Sequence, residues 1–194
     1  MYKKGLRFLY LSLACILLSG CITDVWTGVS LVYDRHNVYK KINDFELAAN
    51  VNHAIYKDNI FKRSDCYIDM AISNGDILLA GHVPTIELRQ EAFQRIAALN
   101  GHRRIFNQLA IGNFPDNSIQ DDWITAKIRS QIFADSDINP HDFKVITSDQ
   151  IVYLMGDVIP KEAAIVIKIA QECDGVKRVV KLFKYYNLSD RPDH

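Results

Sequence analysis

The sequence predicts an α+β protein in which one structural unit occurs twice. The same order of patterns, namely helix, strand, strand, helix and strand, runs over residues 44–112 and again over residues 121–187. A strand–helix–strand crossover pairs its strands in parallel, whereas the hairpin before it is antiparallel. We therefore predict two tandem αββαβ domains, each with a mixed three-stranded sheet and two helices on one face of it.

Apolar residues that recur every four positions predict the first helix of each copy. They are Leu47, Val51 and Ile55 in the first copy and Ile124, Ile128 and Ile132 in the second. This spacing is typical of an amphipathic helix with one buried stripe. Asp121 and Asp122 stand at the predicted start of the second copy's helix, where acidic side chains are expected to cap the helix and complement its dipole.

Alternating apolar residues predict a strand hairpin after each of these helices. Asn74-Gly75 in the first copy favours a tight turn, because both residues tolerate positive φ. The second copy has Asp149-Gln150 there, so a different loop is expected. Gly81 and Gly156 lie inside the second strands. We interpret them as room for a helix on the sheet, with close approach of a ligand as the alternative.

A second helix is predicted over residues 85–99 and 160–173, and Pro160 suits a first helical turn. Final strands follow at residues 104–110 and 176–185. Residues 113–120 between the copies have linker composition. Because each copy has its own apolar stripe, the second copy is expected to fold alone.

The first 20 residues have the pattern of a signal peptide. Three basic residues precede an apolar stretch at residues 8–18, which is shorter than the ~20 residues of a membrane span. Leu18-Ser19-Gly20-Cys21 resembles a bacterial lipobox, and this resemblance implies that Cys21 is lipidated after cleavage. An ordinary signal peptide that ends in cysteine is the alternative. Residues 21–43 are then a linker from the lipidated Cys21, and residues 188–194 are a polar tail.

Charge and motif content narrow the class of function. Removing residues 1–20 leaves 20 basic against 23 acidic side chains, a balance that does not indicate a nucleic-acid partner. No nucleophile–base, phosphate-loop or metal-ligand motif is present, so neither an enzyme, a cofactor nor a metal site is expected. Two separate thiols at Cys66 and Cys173 are favoured over a disulfide. His53 and His82 are expected at the surface or at a sheet edge rather than as ligands.

Several short motifs are similar to those of BON domains. They are Asp122-Trp123-Ile124-Thr125, Leu154-Met155-Gly156 and Gly175-Val176-Lys177-Arg178-Val179. Nearly the whole mature chain resembles the double-BON-domain outer-membrane lipoproteins. The resemblance implies BON domains at residues 44–112 and 121–187 in a non-enzymatic protein that binds anionic phospholipid and supports outer-membrane integrity. Ile22 stands where a retention signal would have aspartate, which implies a lipid anchor in the outer membrane, facing the periplasm.

The first helix of the second copy has another stripe that its core does not require. Trp123, Ala126, Ser130 and Phe133 are spaced i, i+3, i+7 and i+10, with Lys127 and Arg129 beside them. The first copy has Glu46, Ala49, His53 and Tyr56 at these positions, so the fold does not demand an apolar face there.

An aromatic stripe beside cations suits the headgroup boundary of an anionic phospholipid membrane. The family resemblance points the same way, since Trp123 and Phe133 match its lipid-facing helix. Two alternatives are packing against the first copy or the linker, and docking of another envelope protein, which would make the chain a structural adaptor. Lys177, Arg178, Lys181 and Lys184 form a basic cluster near the last strand, which we interpret as a solvated face.

Overall fold

The computed structural model describes residues 35–115 and 117–187, which belong to one compact unit spanning residues 34–194. The predicted signal peptide, Cys21, most of the predicted linker and the tail lie outside the described residues. No described helix combines the length and the apolar content that a membrane crossing needs.

Both copies have the predicted order of elements, and the α+β class is confirmed. The first copy contains α1 (Arg35–Tyr56), β1 (Tyr67–Ser73), β2 (Asp76–Val83), α2 (Ile86–Ala97), β3 (Arg104–Asn107) and β4 (Ala110–Ile111). The second contains α3 (Ser118–Ala134), a 3-10 turn (Pro140–Asp142), β5 (Lys144–Ser148), β6 (Ile151–Val158), α4 (Pro160–Gln171) and β7 (Arg178–Tyr185). Helix α1 begins nine residues before the predicted start at residue 44, and α3 begins within the predicted linker.

Each sheet is mixed, with its second strand in the middle. Strand β6 pairs antiparallel with β5 and parallel with β7, as predicted. Strand β2 pairs antiparallel with β1 and parallel with both β3 and β4, so the first sheet has four strands rather than three. The predicted last strand divides because the chain leaves the ladder after Asn107, and Leu109 is buried in the core between helices and sheet.

Each copy buries a core between its helices and one face of its sheet. The predicted stripe residues Leu47, Val51 and Ile55 belong to the first core, and Ile124, Ile128 and Ile132 belong to the second; all six are buried. Pro160 occupies the first turn of α4 as predicted. The first helix of each copy therefore packs on one face of its sheet, and the residues that make the contact are those that the four-residue spacing predicted.

The opposite faces of the two sheets pack against each other. Tyr153, Met155 and Leu182 of the second copy form one buried cluster with Ala71, Leu78 and Ala80 of the first. The described part of the compact unit thus has four layers, with the helices outside and the two sheets inside. The expectation that each copy has only its own core is incomplete, because this third cluster belongs to both copies.

Polar contacts also join the copies. His82 Nδ1 lies 2.9 Å from Asp149 Oδ2, and the Arg103 guanidinium contacts Asp157 at 2.7 Å while also binding Asp76. The prediction that His82 lies at the surface is wrong, since it is buried on the central strand β2 under the Phe114 ring, 5.1 Å away. His53 is exposed on α1, as expected.

A carboxylate from the first helix holds the hairpin turn in each copy. Asp44 accepts hydrogen bonds from the backbone N–H groups of Asn74 and Gly75. Asp121 accepts the equivalent bonds from Asp149 and Gln150, both at 2.8 Å. The prediction that Asp121 caps its helix is wrong, because α3 begins three residues earlier and Asp121 is buried against the turn.

The second copy's turn follows from that contact. Asp149 and Gln150 have φ of 54° and 63°, close to the 51° and 78° of Asn74 and Gly75. The expectation of a different loop is therefore wrong. Asp149 tolerates positive φ less well than glycine does, and Gln150 disfavours it; both adopt it because the Asp121 carboxylate binds both of their N–H groups.

The strand glycines allow a close approach of backbone to backbone. A Cβ at Gly81 would lie 2.2 Å from the carbonyl oxygen of Tyr67, and a Cβ at Gly156 would lie 1.9 Å from that of Asp142. Our interpretation of these glycines as room for a helix is therefore wrong: the carbonyl of the preceding strand or turn occupies that space. Cys66 and Cys173 are free thiols, as predicted.

Candidate functional site

The predicted second stripe lies on the outer surface of α3. Trp123 is 53% exposed and Phe133 is 70% exposed, although both are large and apolar. Ala126 and Ser130 lie between them and are also exposed. The buried stripe of Ile124, Ile128 and Ile132 holds α3 on the sheet. Packing against the first copy therefore does not account for the exposed aromatic rings, and residues 21–34 of the linker lie outside the described residues.

Ile119 belongs to the same face and was missed by the sequence analysis. It is 87% exposed, and it precedes Trp123 by four residues, which is one helical turn. The signal was present in the sequence, but the helix was predicted to begin only after this residue. Ile119, Trp123 and Phe133 are the large apolar side chains of what we call the α3 outer face, which also includes Ala126 and Ser130.

Lys127 is held by two neighbours beside this face. Its Nζ lies 4.8 Å from the centroid of the Trp123 ring and 2.9 Å from Asp174 Oδ2. The hydrogen bond from Lys127 lowers the pKa of Asp174 and, reciprocally, raises the pKa of Lys127. The Lys127 ammonium therefore lies over the exposed Trp123 ring in a cation–π contact, and the Asp174 carboxylate compensates its charge.

Arg129 and Ser130 also make contacts within the protein. The Arg129 guanidinium donates to the Val145 carbonyl at 3.2 Å, which directs part of this side chain toward β5. The Ser130 hydroxyl donates to the Lys127 carbonyl at 2.8 Å, within the helix. The structure thus places all six predicted residues on or beside the outer side of α3. Of the two cations, Lys127 forms an ion pair, whereas Arg129 donates to a neutral backbone carbonyl.

A shallow depression of about 470 Å³ lies at the beginning of α3. It is lined by Asn117, Ser118, Ile119, Gln120 and Trp123. Polar groups and two of the exposed apolar side chains therefore meet at this end of the helix. The described part of the chain has no cluster of three or more histidine, cysteine or acidic side chains of the kind that binds a metal ion.

The corresponding helix of the first copy presents a different surface. Glu46 and His53 are exposed where α3 has Trp123 and Ser130. Tyr56, which matches Phe133, donates its hydroxyl to the Ile68 carbonyl at 3.1 Å and is half-buried. Helix α1 also exposes Ile42 and Phe45, at 55% and 79%. Both first helices therefore expose some apolar surface, but only α3 places a tryptophan beside a lysine.

Comparisons with known proteins cover most of the chain. The family model of the BON domain matches residues 120–187. Outer membrane lipoprotein DolP of Haemophilus influenzae is 30% identical over 179 residues, which are 89% of this chain and 92% of that protein. The 21 kDa hemolysin of Actinobacillus pleuropneumoniae is 30% identical over 155 residues, which are 78% of this chain and 79% of that protein.

Among solved structures, the C-terminal domain of CdsD matches 73% of this chain and 98% of its own length. CdsD is a structural protein of the type III secretion system of Chlamydia trachomatis. The identity is 11% and the TM-score is 0.30, a likeness too weak to support an argument about fold. The similarity to DolP extends over nearly the full length of both proteins. The chain belongs to the family of the outer membrane lipoprotein DolP, with a BON domain at residues 120–187 and the outer membrane as its location.

Proposed function

We propose that this protein is a non-enzymatic lipoprotein that binds anionic phospholipid through the α3 outer face. The observation that supports this most strongly is the exposure of Ile119, Trp123 and Phe133 on one side of one helix. Tryptophan favours the boundary between headgroups and acyl chains, and a helix with one apolar side can lie in that boundary. By binding lipid in this way, the protein would support the integrity of the outer membrane.

The proposal includes the anchor and the direction in which the protein faces. Lipid on Cys21 would hold the chain in the outer membrane, and the two copies would lie on the periplasmic side. The lipobox resemblance implies two acyl chains on Cys21, which are enough for stable anchoring, so the contact through α3 would select among lipids rather than retain the protein. Loss of palmitate labelling in Cys21→Ser is the expected result for the anchor, and equal labelling of both proteins would contradict it.

We also propose that the first copy, residues 44–112, is a second BON domain. Its elements follow the same order as those of the second copy, and in both sheets the second strand of the hairpin is the central one. Asp44 holds its turn as Asp121 does in the second copy. These shared contacts support a common origin for the two copies, while the polar Glu46 and His53 support a different surface role for the first.

A structural adaptor that docks another envelope protein on the same apolar side is the alternative function. The two functions differ in what binding requires. Lipid binding needs only a vesicle, increases with anionic lipid content and decreases with salt. An adaptor would bind its partner but not pure lipid.

The experiment is vesicle co-sedimentation of the chain from residue 34 onward, the compact unit without its anchor. The variant is Trp123→Glu. The matched control is Phe45→Glu, which places the same charge at another exposed aromatic position, on α1. About 100 Å² of buried ring surface is worth about 2.5 kcal/mol, so Trp123→Glu should weaken binding at least about tenfold.

We expect the unmodified protein to bind phosphatidylglycerol vesicles, Phe45→Glu to bind nearly as well, and Trp123→Glu to lose binding without a change in its melting curve. Absence of binding by the unmodified protein would contradict the function. Equal losses in the two variants would contradict the assignment to α3. Unfolding of Trp123→Glu would mean that Trp123 is a packing residue.

A further inference from the structure

The cations beside the α3 outer face are already engaged within the protein. Lys127 is paired with Asp174 at 2.9 Å, and Arg129 donates to the Val145 carbonyl. A paired ammonium attracts a phosphate less strongly, because the nearby carboxylate opposes that attraction. Arg129 keeps its charge, because its partner is a neutral carbonyl, but it lies almost two helical turns beyond Trp123. A cation for a headgroup at the beginning of α3 therefore has to come from another element.

The first and second copies differ in how the cations beside their last parallel strands are paired. Arg103 and Arg104 both bind the carboxylate of Asp76, which is only 1% exposed, and Arg103 also binds Asp157. Burial tends to raise the pKa of Asp76, but the hydrogen bonds from the two guanidinium groups outweigh it and lower that pKa. The charges of both arginines are therefore compensated by carboxylates of the fold.

The second copy has no carboxylate at the position that corresponds to Asp76. Arg104 pairs with Asp76 in the sheet register, and Arg178 pairs with Ile151 in the same way. An isoleucine thus replaces the aspartate. Lys177 precedes Arg178 and is exposed, and no described carboxylate lies within ion-pair distance of its ammonium. Arg178 differs, since it lies beside the buried Tyr153 hydroxyl.

Backbone contacts place Lys177 at the end of the molecule where α3 begins. The Lys177 N–H donates to the Gln150 carbonyl at 2.9 Å, and the Gln150 N–H donates to Asp121 at 2.8 Å. Two residues before Lys177, a Cβ at Gly175 would lie 3.0 Å from the Gln120 side chain, which lines the depression. The segment that contains Lys177 therefore adjoins the depression formed by Asn117, Ser118, Ile119, Gln120 and Trp123.

We propose that this depression is a headgroup site and that Lys177 supplies the cation for the phosphate diester of an anionic phospholipid. This inference rests on the proposed function. The polar side chains of Asn117 and Gln120 would meet the headgroup, and Ile119 and Trp123 would meet the upper part of the acyl chains. Lys177, rather than Lys127, then makes the protein prefer anionic over zwitterionic lipid.

The test uses the chain from residue 34 onward and compares Lys177, which immediately precedes β7, with Lys181 on that strand. Lys177→Gln should weaken binding to phosphatidylcholine vesicles that contain phosphatidylglycerol by about fivefold, the effect of one lysine at an anionic surface. Lys181→Gln removes the same charge from an exposed position further along β7 and should change binding much less. Lys177→Arg keeps the charge and should keep the affinity.

The outcomes separate the two proposals. If Trp123→Glu abolishes binding but Lys177→Gln and Lys181→Gln behave alike, the headgroup site is wrong and the proposed function stands. If the unmodified protein does not bind these vesicles, both proposals fail. Inorganic phosphate in excess, at constant ionic strength, should not displace the protein. Displacement would mean that the site binds free phosphate rather than a lipid headgroup.

Discussion

At the scale of single residues, the chemistry of the α3 outer face depends on the contacts of Lys127 with Trp123 and Asp174. The ring is half exposed, the ammonium stacks on it, and the carboxylate, 87% exposed, compensates the ammonium. Cation–π contacts at exposed sites are worth about 0.5–1 kcal/mol. The contact of Lys127 with the Trp123 ring is therefore strong enough to orient the ring but too weak to prevent it from entering a membrane. The carboxylate is the group here that an anionic surface repels.

We predict that Asp174→Asn strengthens binding to anionic vesicles. The change removes one negative charge near the membrane and releases Lys127 to meet a lipid phosphate. About 1 kcal/mol per charge corresponds to about a fivefold gain in apparent affinity. Glu87→Gln, which removes an exposed carboxylate from the beginning of α2, is the control and should leave the affinity unchanged. Weaker binding by Asp174→Asn would contradict the role assigned to this face.

The aromatic residues of the site were predictable from the sequence, whereas its ion pair and Ile119 were not. Trp123 and Phe133 were found because they lie off the buried stripe and because the first copy has the polar Glu46 and His53 along the corresponding stripe. The pairing of Lys127 with Asp174 was not predictable, because these residues are 47 positions apart and meet only through the packing of α3 beside the turn before β7. Ile119 was missed because Asp121-Asp122 predicted a later start for this helix, whereas the N-cap residue is Asn117.

At the scale of elements, each hairpin turn depends on one carboxylate from the preceding helix. Burial raises the pKa of Asp121, although the hydrogen bonds from Gln150 and Asp149 oppose that shift. The sequence predicted a turn in the second copy but not its geometry, since Asp149-Gln150 does not by itself favour positive φ. Only the contact with Asp121, 28 residues before Asp149, explains it.

We predict that Asp121→Asn destabilises the protein more than Asp44→Asn does. Hydrogen bonds to a charged group are worth about 1.5–3 kcal/mol, and the second copy's turn has no glycine to accept positive φ without the carboxylate. The free energy of unfolding, measured in urea on both variants, tests this prediction. Gln150→Gly should recover about 1 kcal/mol in the Asp121→Asn background. Equal losses in the two aspartate variants would contradict the difference between the turns.

At the scale of the whole molecule, the two copies form one structure through the cluster between their sheets. Strand β2 is buried at every position and β6 at nearly every one. The sequence contained a sign of this in the unbroken apolar runs Ile77-Leu78-Leu79-Ala80 and Val152-Tyr153-Leu154-Met155, which are typical of strands covered on both faces. Periodicity alone could not show what covers the second face, because the covering residues come from the other copy.

We predict that residues 117–187 expressed alone do not fold as a stable monomer. Separation exposes Tyr153, Met155 and Leu182, and it removes Arg103 from Asp157 and His82 from Asp149. Fully burying one large apolar side chain contributes about 1.5–3 kcal/mol, so the loss of three is comparable to the stability of a small domain. Near-ultraviolet circular dichroism and a thermal melt provide the measurement. A sharp melt of a monomer would show that the shared cluster is dispensable.

The central claim is that the α3 outer face contacts an anionic membrane, and the fluorescence of Trp123 tests it most directly. The sequence has two tryptophans, and the chain from residue 34 onward retains only Trp123. Because the ring is half exposed in the free protein, its emission should shift to shorter wavelength on vesicles that contain phosphatidylglycerol, and brominated lipids should quench it. Phosphatidylcholine vesicles should produce neither change. If the protein sediments with anionic vesicles while Trp123 emission stays unshifted and unquenched, another surface makes the contact and the claim is wrong.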